Sequence, residues 1–443
     1  MEEKIMKKTR VKIVCVREEP DTPCWPCINH DADQELRRIT APIFSMNPDM
    51  AFDVISYTSR NQAEADYKAD LEKYDGVLVL LMTCWKGIDN FYAEQSVDGI
   101  PTIIADVPYC GSGSLLMRTV PLVRGKQLPV PVLSTLNYNE IAEAVKIFDV
   151  ITKMKQTVIL VITNAERARK KALPLEKDWQ CRFVYADSSV FMEYMEKTSD
   201  EEAQVIAHRW ITEALEVVEP TEADIVESAR VHIALREMMK AYGAQAVTVD
   251  CLELSYGGEY GKDSHFYPCL SHFEMLEQGT IAVCEADVNA TVTSLVLSYL
   301  TGKSGFVSDP AIDTSSNQII YAHCVGCRKA YGCEDSRTCQ YVIRSHAEDK
   351  KGASVQIIFP AGEKLTTTMI YPGAAVIHNA KSVGNVGLQE ACRTKLAAET
   401  NAESILNHWG GSWHRVTVFG DYRKLLKQLY RAKGLRVIEE DRD

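Results

Sequence analysis

Two α/β domains built on parallel sheets, followed by a mainly antiparallel, barrel-like β domain, are what this chain predicts. Three observations carry that expectation. Short apolar runs alternate with amphipathic segments from the start of the chain to about residue 303. Beyond residue 304, strand-like runs follow one another with no helical stretch between them. The length of 443 residues also exceeds what a single ordinary core holds.

The first domain spans residues 1–156. Its strands are "VKIVCV" (11–16), "AFDVISYTS" (51–59), "DGVLVLLM" (75–82) and "PTIIADVP" (101–108). Between them, "NQAEADYKADLEKY" (61–74) places Ala63, Ala65, Tyr67 and Leu71 on an approximate helical stripe. This alternation predicts a parallel sheet covered on both faces by helices, of Rossmann or flavodoxin type. A long helix over 138–156 closes the domain. The second domain, 157–303, repeats the pattern through "TVILVIT" (157–163), "CRFVYADS" (181–188), "AQAVTVDCLEL" (244–254) and "GTIAVCEADV" (279–288). Its acid-rich stretches, around 199–240, read as solvated helix faces broken at Pro220. The third domain, 304–443, holds "NQIIYAHCVG", "QYVIRSHA", "ASVQIIFP", "LTTTMIYP", "AAVIHNA" and "SWHRVTVFG" in succession. That succession reads as an antiparallel sheet or small barrel, ended by the helix "DYRKLLKQLYRAKG" and the edge strand "LRVIEED".

A formal charge of -12 argues against a nucleic-acid partner, which needs a basic face. No apolar run is long enough to span a bilayer, and the N-terminus runs into a first strand without a secretory core. Without an export signal, the 14 cysteines are expected to be reduced thiols in a cytoplasmic protein.

The chemistry gathers at strand ends. "IAVC" (281–284) runs into Glu285 and Asp287, and functional groups of parallel sheets collect at the carboxyl ends of strands. Asp287 or Asn289 could cap the following helix, so Asp287 has an adequate structural role, whereas Glu285 has a weaker one. Asp309, in "SDP", could be an ordinary turn residue. Near the C-terminus, "NHWGGSWHRVTVFGD" (407–421) leads His414 into a strand behind two glycines. Two carboxylates and an imidazole at strand ends make an O,O,N set for Mn²⁺ or another divalent ion.

These residues resemble the L-fucose isomerase family and, more distantly, L-arabinose isomerase. The likeness rests on the spacing of Glu285 and Asp309, and on Trp409-Gly410-Gly411-Ser412-Trp413-His414 before the closing "VTVFGDYRKLLKQLYRAKGLRVI". It is also carried by "LMTCWKGID" (81–89) and "NQIIYAHC". The resemblance implies a metal-dependent aldose–ketose isomerase working through a cis-enediol on a small sugar. Glu285 and Asp309 would then be both metal ligands and proton-transfer groups, with His414 the nitrogen ligand. His323 would be a fourth ligand or a supporting group. The family has an asparagine where this chain has Trp413. Trp85 corresponds to a tryptophan that reaches a neighbouring subunit's site, which implies a homo-oligomer, a trimer or hexamer. Trp85, His346 and Trp413 are the candidates for substrate contact.

Two cysteine motifs compete for attention. "PCWPC" holds Cys24 and Cys27 at redox-pair spacing, but no helix opens at the motif. Cys324, Cys327, Cys333 and Cys339 are crowded beside His323, yet their spacings fit no standard zinc or iron–sulfur pattern. The rival functions are a sugar epimerase or aldolase on the same metal site, a non-catalytic sugar-binding protein, and a cysteine-centred metal or redox protein.

Overall fold

A computed structural model describes residues 6–256, 266–387 and 391–442. The chain forms two compact units, Met1–Lys153 with Lys424–Arg436, and Met154–Arg423 with Val437–Asp443.

In the first unit, strands β1 (Arg10–Val16), β2 (Ala51–Tyr57), β3 (Gly76–Leu81), β4 (Thr102–Asp106) and β5 (Val132–Ser134) form one sheet. All its pairings are parallel, in the order β2-β1-β3-β4-β5. β3 and β4 are buried along their whole length, as continuous aliphatic runs require in a sheet covered on both faces. Lys12 interrupts the apolar run of β1. It is fully buried and ion-paired to Asp70 at 2.6 Å, with Tyr57 also accepting at 2.7 Å. A buried ammonium persists only with partners of this kind.

In the second unit, β6 (Val158–Ile162), β7 (Arg182–Ala186), β9 (Ala246–Val249) and β10 (Ile281–Val283) make a second parallel sheet, ordered β10-β9-β6-β7. The acid-rich region folds as helices Asp200–Glu213 and Glu222–Tyr242, started by Ser199 and Thr221 as N-caps. The link between them carries a two-residue strand, β8 (Glu216–Val217).

The remaining strands are β11 (Phe306–Asp313), β12 (Gln318–His323), β13 (Gln340–Arg344), β14 (Ser354–Ile358), β15 (Lys364–Tyr371), β16 (Ala374–Asn385), β17 (Thr394–Glu399), β18 (Arg415–Phe419) and β19 (Arg436–Glu439). Six of them run in the order β15-β18-β11-β12-β17-β16, and β15 pairs back onto β16 to close an antiparallel barrel, with β19 added beside β16. Closure leaves no free edge along this run of strands.

Three expectations need correction. The strands beyond residue 304 do not follow one another without a helix, since helix Ala402–His408 lies between β17 and β18. β13 and β14 do not join the barrel but pair with each other and with β8, making a separate three-stranded sheet. β8 lay inside a stretch read as helical, so this partner was not visible in the periodicity. "SDP" is also not a turn: Asp309 and Pro310 lie within β11, opposite Ala322 and Tyr321. The β11–β18 ladder ends at Ser308, so the missing N–H of Pro310 breaks no ladder bond on that side.

A buried polar network joins β12, β16 and β18 to the segment after β19. Arg415 and Glu440 are both fully buried and paired at 2.6 Å. Glu440 also contacts His378 Nδ1 at 2.9 Å, and His378 Nε2 lies 2.7 Å from the Tyr321 hydroxyl. Arg415 stacks on Trp409 at 3.6 Å from the ring centroid and donates to the Ser412 and Gly410 carbonyls. Removing one member of such a pair strands the other charge in the core, which costs about 3–5 kcal/mol. Glu440→Gln is therefore expected to lower the denaturant midpoint sharply. Adding Arg415→Met should recover part of the loss, and a strictly additive double variant would exclude this coupling.

Candidate metal centre

β10 ends at Val283, and helix Val288–Thr301 begins only after Cys284, Glu285, Ala286 and Asp287. Glu285 (φ 63) and Ala286 (φ 48) both occupy the left-handed region, which side chains with a Cβ avoid. Strain of this kind costs about 1–3 kcal/mol per residue and persists where surrounding structure enforces it. Here Ala286 N–H donates to the Val249 carbonyl on the neighbouring strand, and Asp287 N–H closes back onto the Cys284 carbonyl. Asp287 then caps the helix, its Oδ1 accepting from the Asn289 and Ala290 amides at 2.9 and 3.0 Å.

The barrel supplies the other side of the site. Asp309 lies early in β11, His323 ends β12, and His414 stands immediately before β18. Glu285, Asp309, His323 and His414 each offer one ligand atom, and all these atoms lie within 4.8 Å of one another. Glu285 and Asp309 are partly open, whereas both histidines are buried.

His414 organises the cluster. Its Nδ1 donates to Asp287 Oδ2 at 2.7 Å, which aims Nε2 at the acids. Nε2 lies 3.1 Å from Asp309 Oδ1 and 3.7 Å from Glu285 Oε2. The 3.1 Å separation is an ion-pair distance, but neither atom finds a well-directed hydrogen bond. Both ring nitrogens of His323 are likewise buried without a hydrogen-bond partner. Burial holds the His323 imidazole below its usual range, favouring the neutral form that binds metals. Two carboxylates and two imidazoles with unpartnered buried nitrogens fit a divalent ion of the manganese, iron, cobalt or zinc kind.

Burial alone would lower the pKa of His414, but contacts with Asp287, Asp309 and Glu285 outweigh it and hold the group well above its ordinary value. Burial would raise Asp287 and Asp309, yet the imidazolium keeps both below the usual carboxylate range. Without metal, the cluster is thus held together by a proton on His414.

The other residues singled out from the sequence lie as follows. Trp413 is 62% exposed and near enough to Asp309 to help hold its carboxyl below the usual range. His346 is buried between the rings of Tyr256 and Tyr267 and is not among the four converging residues. Trp85 belongs to the first unit, where it is 54% exposed with φ 69, beneath the Arg118 guanidinium. In "PCWPC", Cys24 Sγ donates to the Cys27 carbonyl at 3.1 Å. Among the described residues, Cys324, Cys327, Cys333 and Cys339 form no converging group, and Cys327 instead donates to Glu277 at 3.2 Å. The second role of Asp287 was missed, because its N-cap position already accounted for it.

Asp287→Asn keeps a good N-cap but removes the charge that orients His414. It should weaken Mn²⁺ binding about 10–100-fold with unchanged helix content, as read by calorimetry and circular dichroism. Metal must also displace the His414 proton. Binding at neutral pH should release about one proton per ion, shown by the dependence of binding heat on buffer, and affinity should fall as pH drops. In the metal-free protein, protonated His414 stabilises the fold fully below about pH 6.5, and this contribution is lost as pH rises through the raised folded value. No known family's sequence model matches this chain, and no curated protein is significantly similar to it.

Proposed function

We propose that this chain is a metal-dependent aldose–ketose isomerase acting on a small sugar, of fucose, arabinose or a modified aldose type. One observation carries the reading: the convergence of Glu285, Asp309, His323 and His414 on a common centre, partly open on its acidic side. A divalent ion such as Mn²⁺, held by these side chains, would supply Lewis-acid stabilisation of negative charge on the two sugar oxygens.

The residues themselves account for the proton movements. A carboxylate within reach of the carbon pair takes the proton from C2 of the aldose, leaving a cis-enediol, and returns it to C1. The hydroxyl proton passes from O2 to O1, so the composition of the sugar is unchanged. Glu285 and Asp309 are the groups for this work, since their side chains remain 32% and 24% exposed while His414 is only 3% exposed. His414, fixed by Asp287, holds position and takes no part in proton transfer. Trp413, exposed beside Asp309, offers an apolar face to the sugar's C–H groups. Trp85 would serve a neighbouring copy, making the working enzyme a homo-oligomer.

The test is a panel of aldoses with Mn²⁺ in heavy water. Ketose formation with deuterium at the transferred position supports the reading. Epimer formation without ketose identifies the same site as an epimerase, and cleavage to shorter carbonyl products identifies it as an aldolase. Glu285→Gln should lower kcat by about 10²–10⁴-fold with the fold intact. Near-wild-type turnover would remove Glu285 from the mechanism. Light scattering should give a trimer or hexamer mass; a monomer active at high dilution would exclude the role of Trp85.

A further inference from the structure

His414 ends the loop 409–414, which runs from helix Ala402–His408 to β18. Gly411 and Trp413 in this loop are exposed, while His414 is buried. Gly411 adopts φ 82 against the Tyr371 ring, where a Cβ would lie 2.3 Å from the nearest ring carbon. The loop therefore passes through a fixed point, but its carbonyls need partners of their own.

The Arg415 guanidinium supplies them. Its Nη1 donates to the Ser412 and His414 carbonyls at 2.7 and 3.0 Å, and its Nη2 to the Gly410 carbonyl at 2.9 Å. Glu440 takes the other N–H groups, Oε1 accepting from Nη2 at 2.6 Å and Oε2 from Nε at 3.3 Å. A guanidinium presents five N–H donors in one plane. Here three meet loop carbonyls and two meet the carboxylate. A buried ion pair is not itself required for stability, because apolar residues of similar volume often serve as well. An apolar pair, however, cannot serve three carbonyls of the loop that carries His414.

We infer that Arg415 and Glu440 are positioning residues of the metal centre. Glu440 fixes the guanidinium, the guanidinium fixes the loop carbonyls, and the loop sets the place of His414. Asp287 adds the complementary constraint at the ring Nδ1, so main chain and side chain of this ligand are held separately. Glu440 also reaches the strand of the second histidine. Through His378 it is linked to Tyr321, two residues before His323 on β12. The segment after β19 is thereby tied to both nitrogen ligands.

This inference rests on the metal-centre part of the functional reading and not on the sugar chemistry. Arg415→Lys keeps a positive charge opposite Glu440 but offers three donors for five acceptor positions. Metal-free chains labelled with ¹⁵N-histidine are compared by NMR, with the His414 Nδ1 proton assigned by its absence from His414→Gln. That proton should be protected in the wild-type chain and lost to solvent exchange in Arg415→Lys. In the same variant, affinity for Co²⁺ should fall about 10–100-fold and the visible bands of the bound ion should shift, with helix content unchanged. If Arg415→Lys fails to fold, the Arg415→Met/Glu440→Gln pair, which removes both charges together, is read in the same way. A His414 proton as well protected in the variant as in the wild type overturns the inference. A wild-type chain without a protected His414 proton overturns it equally. A wild-type chain that takes up no Co²⁺ refutes the metal centre instead, and the proton signal alone then decides the role of Arg415.

Discussion

The candidate site depends on a single carboxylate that faces two ways. One oxygen of Asp287 closes the amino end of helix Val288–Thr301, and the other receives the Nδ1 proton of His414 from the far end of the second unit. A helix amino terminus attracts negative charge, so Asp287 stays ionised there. That charge sets the tautomer and direction of the His414 ring. The parallel sheet and the barrel are thereby coupled at the point where the metal ligands converge.

The local strain has the same origin. The chain must turn within four residues from β10 into a helix while leaving Glu285 at the cluster, and two consecutive left-handed residues achieve this. Glycine would adopt that geometry at lower cost, but glycine carries no ligand. The barrel tolerates the neighbouring charge density because its own buried ion pair is matched, Arg415 meeting Glu440, which also contacts the His378 ring. At the cluster itself the acids are matched only by a proton on His414. A divalent cation in that place supplies more charge and satisfies the nitrogens of His323 as well.

Much of this was legible in the sequence, because buried parallel strands are long aliphatic runs and because acids at their ends stand out against them. Glu285, Asp309 and His414 could each be singled out, and His323 entered through a family likeness and not through spacing. The misreadings share a cause. β13 and β14 look like barrel strands, since alternation reports a half-buried strand but not which partner it pairs with. Pro310 looked like a turn because the sequence does not show that the β18 ladder stops before it reaches that position.

The alternation of strands and helices in the α/β region, the parallel character of its two sheets and the chemical type of the candidate ligands were determined by the sequence alone. These follow from local periodicity and side-chain chemistry, which act over a few residues. Only the tertiary structure decided that β15 closes onto β16, that Asp287 reaches His414 across 127 positions, and that Cys392 lies against Asp309. Those are contacts between distant segments, set by packing and charge pairing in three dimensions, and no local pattern encodes them.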